Sequence, residues 1–217
     1  MKLSEHFLNL LFPPKCPFCH RIMERPEASF CPDCQTGLPW LTEGKAERKV
    51  AFTQLCVSAL RYSGPVRESI HRFKFKGRRW YAQTYGVLLA QCVEDHLRGR
   101  YDLISWVPVG RRRRRKRGYD QGFLLAREMS ACLGQSCVSV LEKKKENPAQ
   151  SGLEGAAQRR ANVLGVYRVT DPDLIRGKRV LLVDDVVTTG ETLSECARTL
   201  RMAGASEVVC VTLARAT

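Results

Sequence analysis

The sequence contains no apolar run near the roughly 18 residues that a membrane-spanning helix requires, so no membrane insertion is expected. Its first residues lack a small-residue cleavage site, and Glu5, His6 and Asn9 interrupt the Leu and Phe residues there. A secretory signal is therefore not expected, and the reading is of a soluble, cytoplasmic protein. Acidic residues are short: 22 Asp and Glu stand against 36 Lys and Arg, a net charge of +14. A balance that basic points to anionic partners such as nucleic acid, polyphosphate or an acidic surface. At 217 residues, one core of ordinary size with a small appendage is the natural expectation.

Cysteine is abundant, with ten in the chain. Cys16-Pro-Phe-Cys19 and Cys31-Pro-Asp-Cys34 form two C-x2-C pairs separated by eleven residues. Each pair can grip one metal through a tight turn, and four thiolates fill a tetrahedral Zn²⁺ site with no open position. Such a site is structural. A redox C-x-x-C fits less well because thioredoxin-like motifs come singly, and an iron–sulfur cluster is the lesser metal alternative. Cys56, Cys92, Cys132, Cys137, Cys196 and Cys210 are scattered among apolar residues and read as small core hydrophobes.

At the other end of the chain, Val180 to Val183 suit a strand covered on both faces. Asp184 and Asp185 follow, then Thr188-Thr189-Gly190-Glu191-Thr192 leads into a helical pattern of Leu193, Cys196, Ala197 and Leu200. Gly204 closes that helix, and Val208 to Leu213 read as the next strand. Ligands bind at the carboxyl ends of strands in open α/β sheets. A turn rich in hydroxyls and backbone N–H groups suits a phosphate monoester. Adjacent carboxylates suit the vicinal hydroxyls of a ribose or a divalent cation. The plainer alternative is a capped helix after a buried strand, with both carboxylates solvated. The ordered string resembles the PRPP-binding motif of type I phosphoribosyltransferases. By that resemblance Asp184 and Asp185 hold the ribose hydroxyls, and Thr188, Thr189, Gly190, Glu191 and Thr192 cradle the 5-phosphate. Purine-salvage members carry an Asp at the place of Thr188, where it acts on the base. This chain has none, so the catalytic acid or base is left unassigned.

Between these ends, Leu3, Phe7, Leu8, Leu11 and Phe12 give a short amphipathic helix. Residues 41–50 read as a polar linker, which places a zinc module over 1–45 and a main domain over 46–217. Leu55 to Tyr62 reads as a strand; Val66, Ile70 and Phe73 mark a short helix with a basic outer side; a longer helix carries Trp80 and Tyr85, read as packing groups. Tyr101 to Val107 forms another strand, feeding a basic loop of Arg111, Arg112, Arg113, Arg114, Arg115, Lys116 and Arg117 between Gly110 and Gly118. In the phosphoribosyltransferase fold, a loop there meets the pyrophosphate of PRPP. The surplus charge is available to a nucleic-acid backbone, with a solvated loop as the plain alternative. From Lys143 to Asn162 periodicity is lost, as expected for a loop that closes over substrate; Gln150, Arg159, Arg160 and Asn162 are its candidate contacts.

Taken together, these marks resemble the ComF family associated with natural competence. They are the four-cysteine module, Leu-Arg-Tyr-Ser-Gly-Pro-Val-Arg before Lys-Phe-Lys-Gly, and Val-Pro-Val with basic residues and Arg-Gly-Tyr-Asp-Gln. The Gln-x8-Arg-Arg-x-Asn stretch and Val-Asp-Asp-Val-Val-Thr-Thr-Gly complete them. The chain departs from the pattern at Gly110, near Asn147 and at Tyr119-Asp120. The resemblance implies an α/β fold of the type I phosphoribosyltransferase kind, a mostly parallel sheet with flanking helices, beside a small four-cysteine zinc ribbon. It implies structural zinc, Mg²⁺ accompanying PRPP, and a role in uptake or processing of transforming single-stranded DNA beside competence helicase and recombination proteins. Two readings stay open: a phosphoribosyltransferase with turnover in nucleotide metabolism, and a non-catalytic, ligand-regulated nucleic-acid-binding protein. A purely structural zinc adaptor leaves the Asp184–Thr192 string unexplained.

Overall fold

The computed structural model describes residues 13–25, 28–144 and 164–216. In chain order its elements are α1 (Pro32–Gly37), β1 (Glu47–Arg48), β2 (Leu55–Arg61), α2 (Gly64–Phe75), α3 (Tyr81–His96), β3 (Leu103–Trp106) and α4 (Arg111–Arg117). They continue as α5 (Gln121–Cys132), β4 (Leu141–Lys143), β5 (Tyr167–Val169), β6 (Arg179–Val187), α6 (Glu191–Met202) and β7 (Glu207–Arg215). Among these residues, no helix is long and apolar enough to cross a membrane.

Five strands form the main sheet in the order β1-β2-β7-β6-β3, parallel throughout except for the β1–β2 pair. The central strands carry continuous Val, Leu and Cys because both faces are covered. On one face α3 and α5 lie side by side, with Tyr85, Leu89, Leu125 and Met129 against Val183 and Val211. Gly86 makes that approach possible, since a Cβ there would stand 2.5 Å from the Glu128 Cβ. On the other face α6 packs Leu193, Cys196 and Leu200 against Val180, Leu182 and Cys210. The fold class expected from the sequence is the one observed.

Several local expectations change. Residues 41–50 are not a free linker: Leu41, Ala46 and Val50 are buried, and β1 extends the sheet. The seven basic residues are helical, with Gly110 before them and Gly118 in the left-handed conformation after them (φ 79°). Trp80 is 53% exposed and meets the Tyr81 ring edge-on from the surface (centroids 5.9 Å apart), whereas Tyr85 is buried. Cys132 is exposed and Cys137 half-buried, whereas Cys56, Cys92, Cys196 and Cys210 are buried as expected. The N-terminal helix, and Gln150, Arg159, Arg160 and Asn162, lie outside the described residues.

The cysteine module shares the core of the main sheet. Phe18 is buried against Tyr85, and Cys16 and Leu38 belong to the same cluster. Polar contacts fix the junction: Ser69 Oγ donates to the Pro17 carbonyl (2.6 Å), and Arg72 donates to the carbonyls of Pro17 and Phe18 (3.0 and 2.9 Å). Thr84 Oγ1 donates to the Ser29 carbonyl (2.7 Å), and His20 Nε2 lies 2.8 Å from the Tyr81 hydroxyl.

Candidate functional sites

At the carboxyl end of the sheet a cleft of about 700 Å³ opens between β6, α2 and α4. Asp184 and Asp185 form its floor because β6 runs past them to Val187. Alternation along the strand turns the two side chains to opposite faces. Asp185 is 4% exposed, and its Oδ1 accepts from Lys74 Nζ at 2.7 Å. Its Oδ2 is buried with no partner. Asp184 Oδ1 accepts from the Asp185 N–H (2.8 Å). Burial and the neighbouring Asp185 carboxylate push Asp184 up to about 8, against the pull of Lys74.

The turn after β6 supplies the next wall. Thr188 and Thr192 line the cleft, and Gly190 has φ 87° at the start of α6. Only glycine adopts that angle freely, and a Cβ there would also press on Val50 at 3.2 Å. Arg48 donates to the Thr188 carbonyl (2.5 Å), so the supposed linker buttresses this turn. Thr189 and Glu191 belong to the same turn and first helical residue, both half-buried.

The basic helix α4 presents two rows. Arg113, Lys116 and Arg117 line the cleft, at the i, i+3, i+4 spacing of one helix face. Arg111, Arg114 and Arg115, with Gly118, line a separate shallow groove of about 400 Å³. Arg112 is exposed and lines neither. Arg117 stands over the Phe75 ring at 5.0 Å; its Nη1 is buried without a partner, and burial lowers its pKa. The side chain of Gln121, at the start of α5, also lines the cleft with Oε1 buried and unpartnered. Asp120 caps that helix, accepting from the N–H groups of Phe123 and Val109 (3.1 and 3.2 Å), and burial raises its pKa. Opposite, Lys143 and Tyr167 pair across β4 and β5 at the rim.

Sequence reasoning did not single out Lys74, Gln121, Phe75 or Arg48 for the site. A lysine on a basic helix carries no local mark of the carboxylate it meets. Arg48 lies 140 residues from Thr188, whose carbonyl it holds.

The second site is the cysteine module. The Sγ atoms of Cys16, Cys19, Cys31 and Cys34 all lie within 4.8 Å of one another, with Cys19 and Cys31 at 3.5 Å. A ZnS₄ tetrahedron with bonds of ~2.3 Å has edges of ~3.8 Å, so the four thiols fit Zn²⁺ with no coordination place left open.

Comparison with known proteins matches both parts of the chain to domain families. Residues 7–47 match the double zinc ribbon domain, and residues 120–217 match the phosphoribosyl transferase domain. DNA utilization protein YhgH of Salmonella typhi is 32% identical over 199 residues, covering 89% of this chain and 86% of that protein. The chain belongs to the ComF family. Within it, competence protein F of Haemophilus influenzae is 34% identical over 161 residues, covering 71% of this chain and 70% of that one. Competence protein ComFC of Streptococcus pneumoniae is 26% identical over 204 residues, covering 92% and 80%. Among solved structures, adenine phosphoribosyltransferase from Thermoanaerobacter pseudethanolicus is similar at 20% identity and TM-score 0.38, covering 70% of this chain and 84% of that one. This ComF member thus joins a zinc ribbon to a phosphoribosyltransferase fold.

Proposed function

We propose that the cleft binds PRPP, and that this ComF protein uses the bound ribose phosphate in the handling of single-stranded DNA during competence. The observation that carries the first part is the placement of complementary groups around one cavity. Acid acceptors lie on the floor, a Thr-rich turn with a left-handed glycine stands at a helix start, and a row of cations faces them. Asp184 and Asp185 would accept from the ribose 2- and 3-hydroxyls. Thr188, Thr189, Gly190, Glu191 and Thr192 would hold the 5-phosphate, and Arg113, Lys116 and Arg117 the pyrophosphate. Mg²⁺ would neutralise pyrophosphate oxygens, the hard oxygen donors that the ligand itself supplies. Gln150, Arg159, Arg160 and Asn162 would close over the ligand between β4 and β5. The division into a zinc module over 1–45 and a ligand domain over 46–217 is part of the same reading.

The DNA part draws on the names of the relatives and on a surface of this chain. Phe75 is 58% and Trp80 53% exposed, and Arg78 stands over the Trp80 ring at 4.9 Å. Exposed rings beside cations suit unpaired bases and their phosphates. With Arg111, Arg114 and Arg115 on the outer row of α4, they favour a single strand over a duplex. Cytoplasmic location and competence helicase and recombination partners go with this role.

Calorimetric titration of PRPP with Mg²⁺ tests the central claim. Saturable binding to the zinc-loaded protein, lost in Asp184→Asn/Asp185→Asn, is the expected result. No binding to the folded wild type would remove the PRPP reading.

A further inference from the structure

Lys74 is a cleft residue that the ribose-phosphate reading leaves unused. It stands near the end of α2, where Val66, Ile70 and Phe73 bury the inner face and the Tyr119 hydroxyl donates to the Phe73 carbonyl. Its side chain is 20% exposed and its Asp185 partner 6%, so the contact is shielded from solvent. Such an ion pair is held in place far more firmly than a surface one. The other charges acting on the acid pair are Arg117 from α4 and Asp120 before α5. Asp185 Oδ2, buried and unpartnered, lies on the same carboxylate. The carboxylate therefore has one oxygen already engaged by an ammonium and one that is buried and still lacks a donor.

We infer that Lys74 is the resident counter-cation of the Asp184–Asp185 pair: it keeps a divalent metal off the free protein and yields the pair to ribose hydroxyls. The inference rests on the ribose-phosphate reading for its ligand. A divalent ion coordinating Asp185 would sit at roughly 2.1 Å from a carboxylate oxygen, beside an ammonium already in hydrogen-bond contact. Two positive centres that close repel strongly in a shielded site. A neutral hydroxyl meets no such repulsion, and it supplies the donor that the buried Oδ2 lacks. The metal then enters with the phosphates of the ligand, on the side of Arg113 and Lys116, and not with the acid pair.

Mn²⁺ alone is the probe, titrated by electron paramagnetic resonance into the full-length, zinc-loaded protein. Wild type, Lys74→Met, Lys74→Arg and Lys74→Met/Asp185→Asn are compared in mildly alkaline buffer, with zinc content and melting temperature checking the fold. Lys74→Met should bind Mn²⁺ at least about tenfold more tightly than wild type, the charge-keeping Lys74→Arg should stay weak, and the double variant should lose the gain. Equal Mn²⁺ affinity in wild type and Lys74→Met overturns the inference. So does an equal gain in Lys74→Arg, which also serves if the Met variant does not fold. PRPP calorimetry on the same samples separates the two claims. A Mn²⁺ gain without PRPP binding supports the counter-cation and removes the PRPP reading. PRPP binding without the gain does the reverse.

Discussion

Asp184 is the residue whose protonation decides what the cleft can accept. Burial and Asp185 hold it up to about 8, far above the ordinary 3.8 of an aspartate. A protonated carboxyl offers one fewer acceptor position to a ribose hydroxyl. PRPP affinity should therefore rise with pH through about 8, and Asp184→Asn should bind weakly with a flattened profile; calorimetry across that range checks both. Stability runs the other way. Between about 4 and 8 the unfolded chain ionises Asp184 while the folded protein keeps the proton, so stability falls as pH rises across that window. Denaturant midpoints should increasingly favour Asp184→Asn over the same interval. The carboxylate pair was legible in the sequence because it follows an apolar strand run and stands just before the Thr-rich turn. Lys74 was not, because only folding brings α2 over β6.

At the scale of the element, α4 shows why seven basic residues were read as a loop. Like charges at i, i+4 oppose an isolated helix, and no apolar stripe marks a buried face. The fold supplies what the segment lacks: the left-handed Gly118 ends the helix, and the half-buried Arg117 lies over the Phe75 ring. Helicity then sorts the charges into two rows that line separate cavities, and separate work is predicted for them. Arg114→Ala/Arg115→Ala should weaken single-stranded DNA binding and flatten its salt dependence by about 1.4 in log–log slope, at ~0.7 per phosphate released. PRPP affinity should barely change. Arg113→Ala/Lys116→Ala should lose PRPP affinity and keep most of the DNA slope. Fluorescence anisotropy over a salt series reads the DNA side. Equal losses in both variants would mean one shared anion site. The strand–turn–helix of β6 and α6, by contrast, was legible in order and type, since its apolar run, glycines and hydroxyls lie within one local stretch. The strand itself runs on through Asp184 and Asp185 to Val187, where the apolar run alone ended at Val183.

For the whole molecule, the question is whether the zinc ribbon is an appendage or a part of the ligand site. The linker reading of residues 41–50 made it an appendage, because polar composition does not reveal that Leu41, Ala46 and Val50 are buried. The structure ties it to α2 and α3 through Ser69, Arg72, Thr84 and Tyr81, and α2 carries Lys74 and Phe75 into the cleft. The four thiols thus lie at one end of this chain of contacts and the acid pair at the other. Chelating the zinc, or replacing Cys16 with Ser, would free the 16–34 turns that accept these hydrogen bonds. Melting should drop by about 10 °C, a loss of several kcal/mol at ~2–4 °C each for a chain of this size. Hydrogen exchange should quicken across Gly64–Phe75, and PRPP affinity should fall although no ligand-contacting residue has changed. Unaltered exchange in α2 after complete zinc loss would show that the ribbon is independent of the cleft. A rise confined to α2 and α3, with β6 and α6 still protected, would place the coupling in the Arg72 and Ser69 contacts, because these are what join the cysteine turns to the helix bearing Lys74.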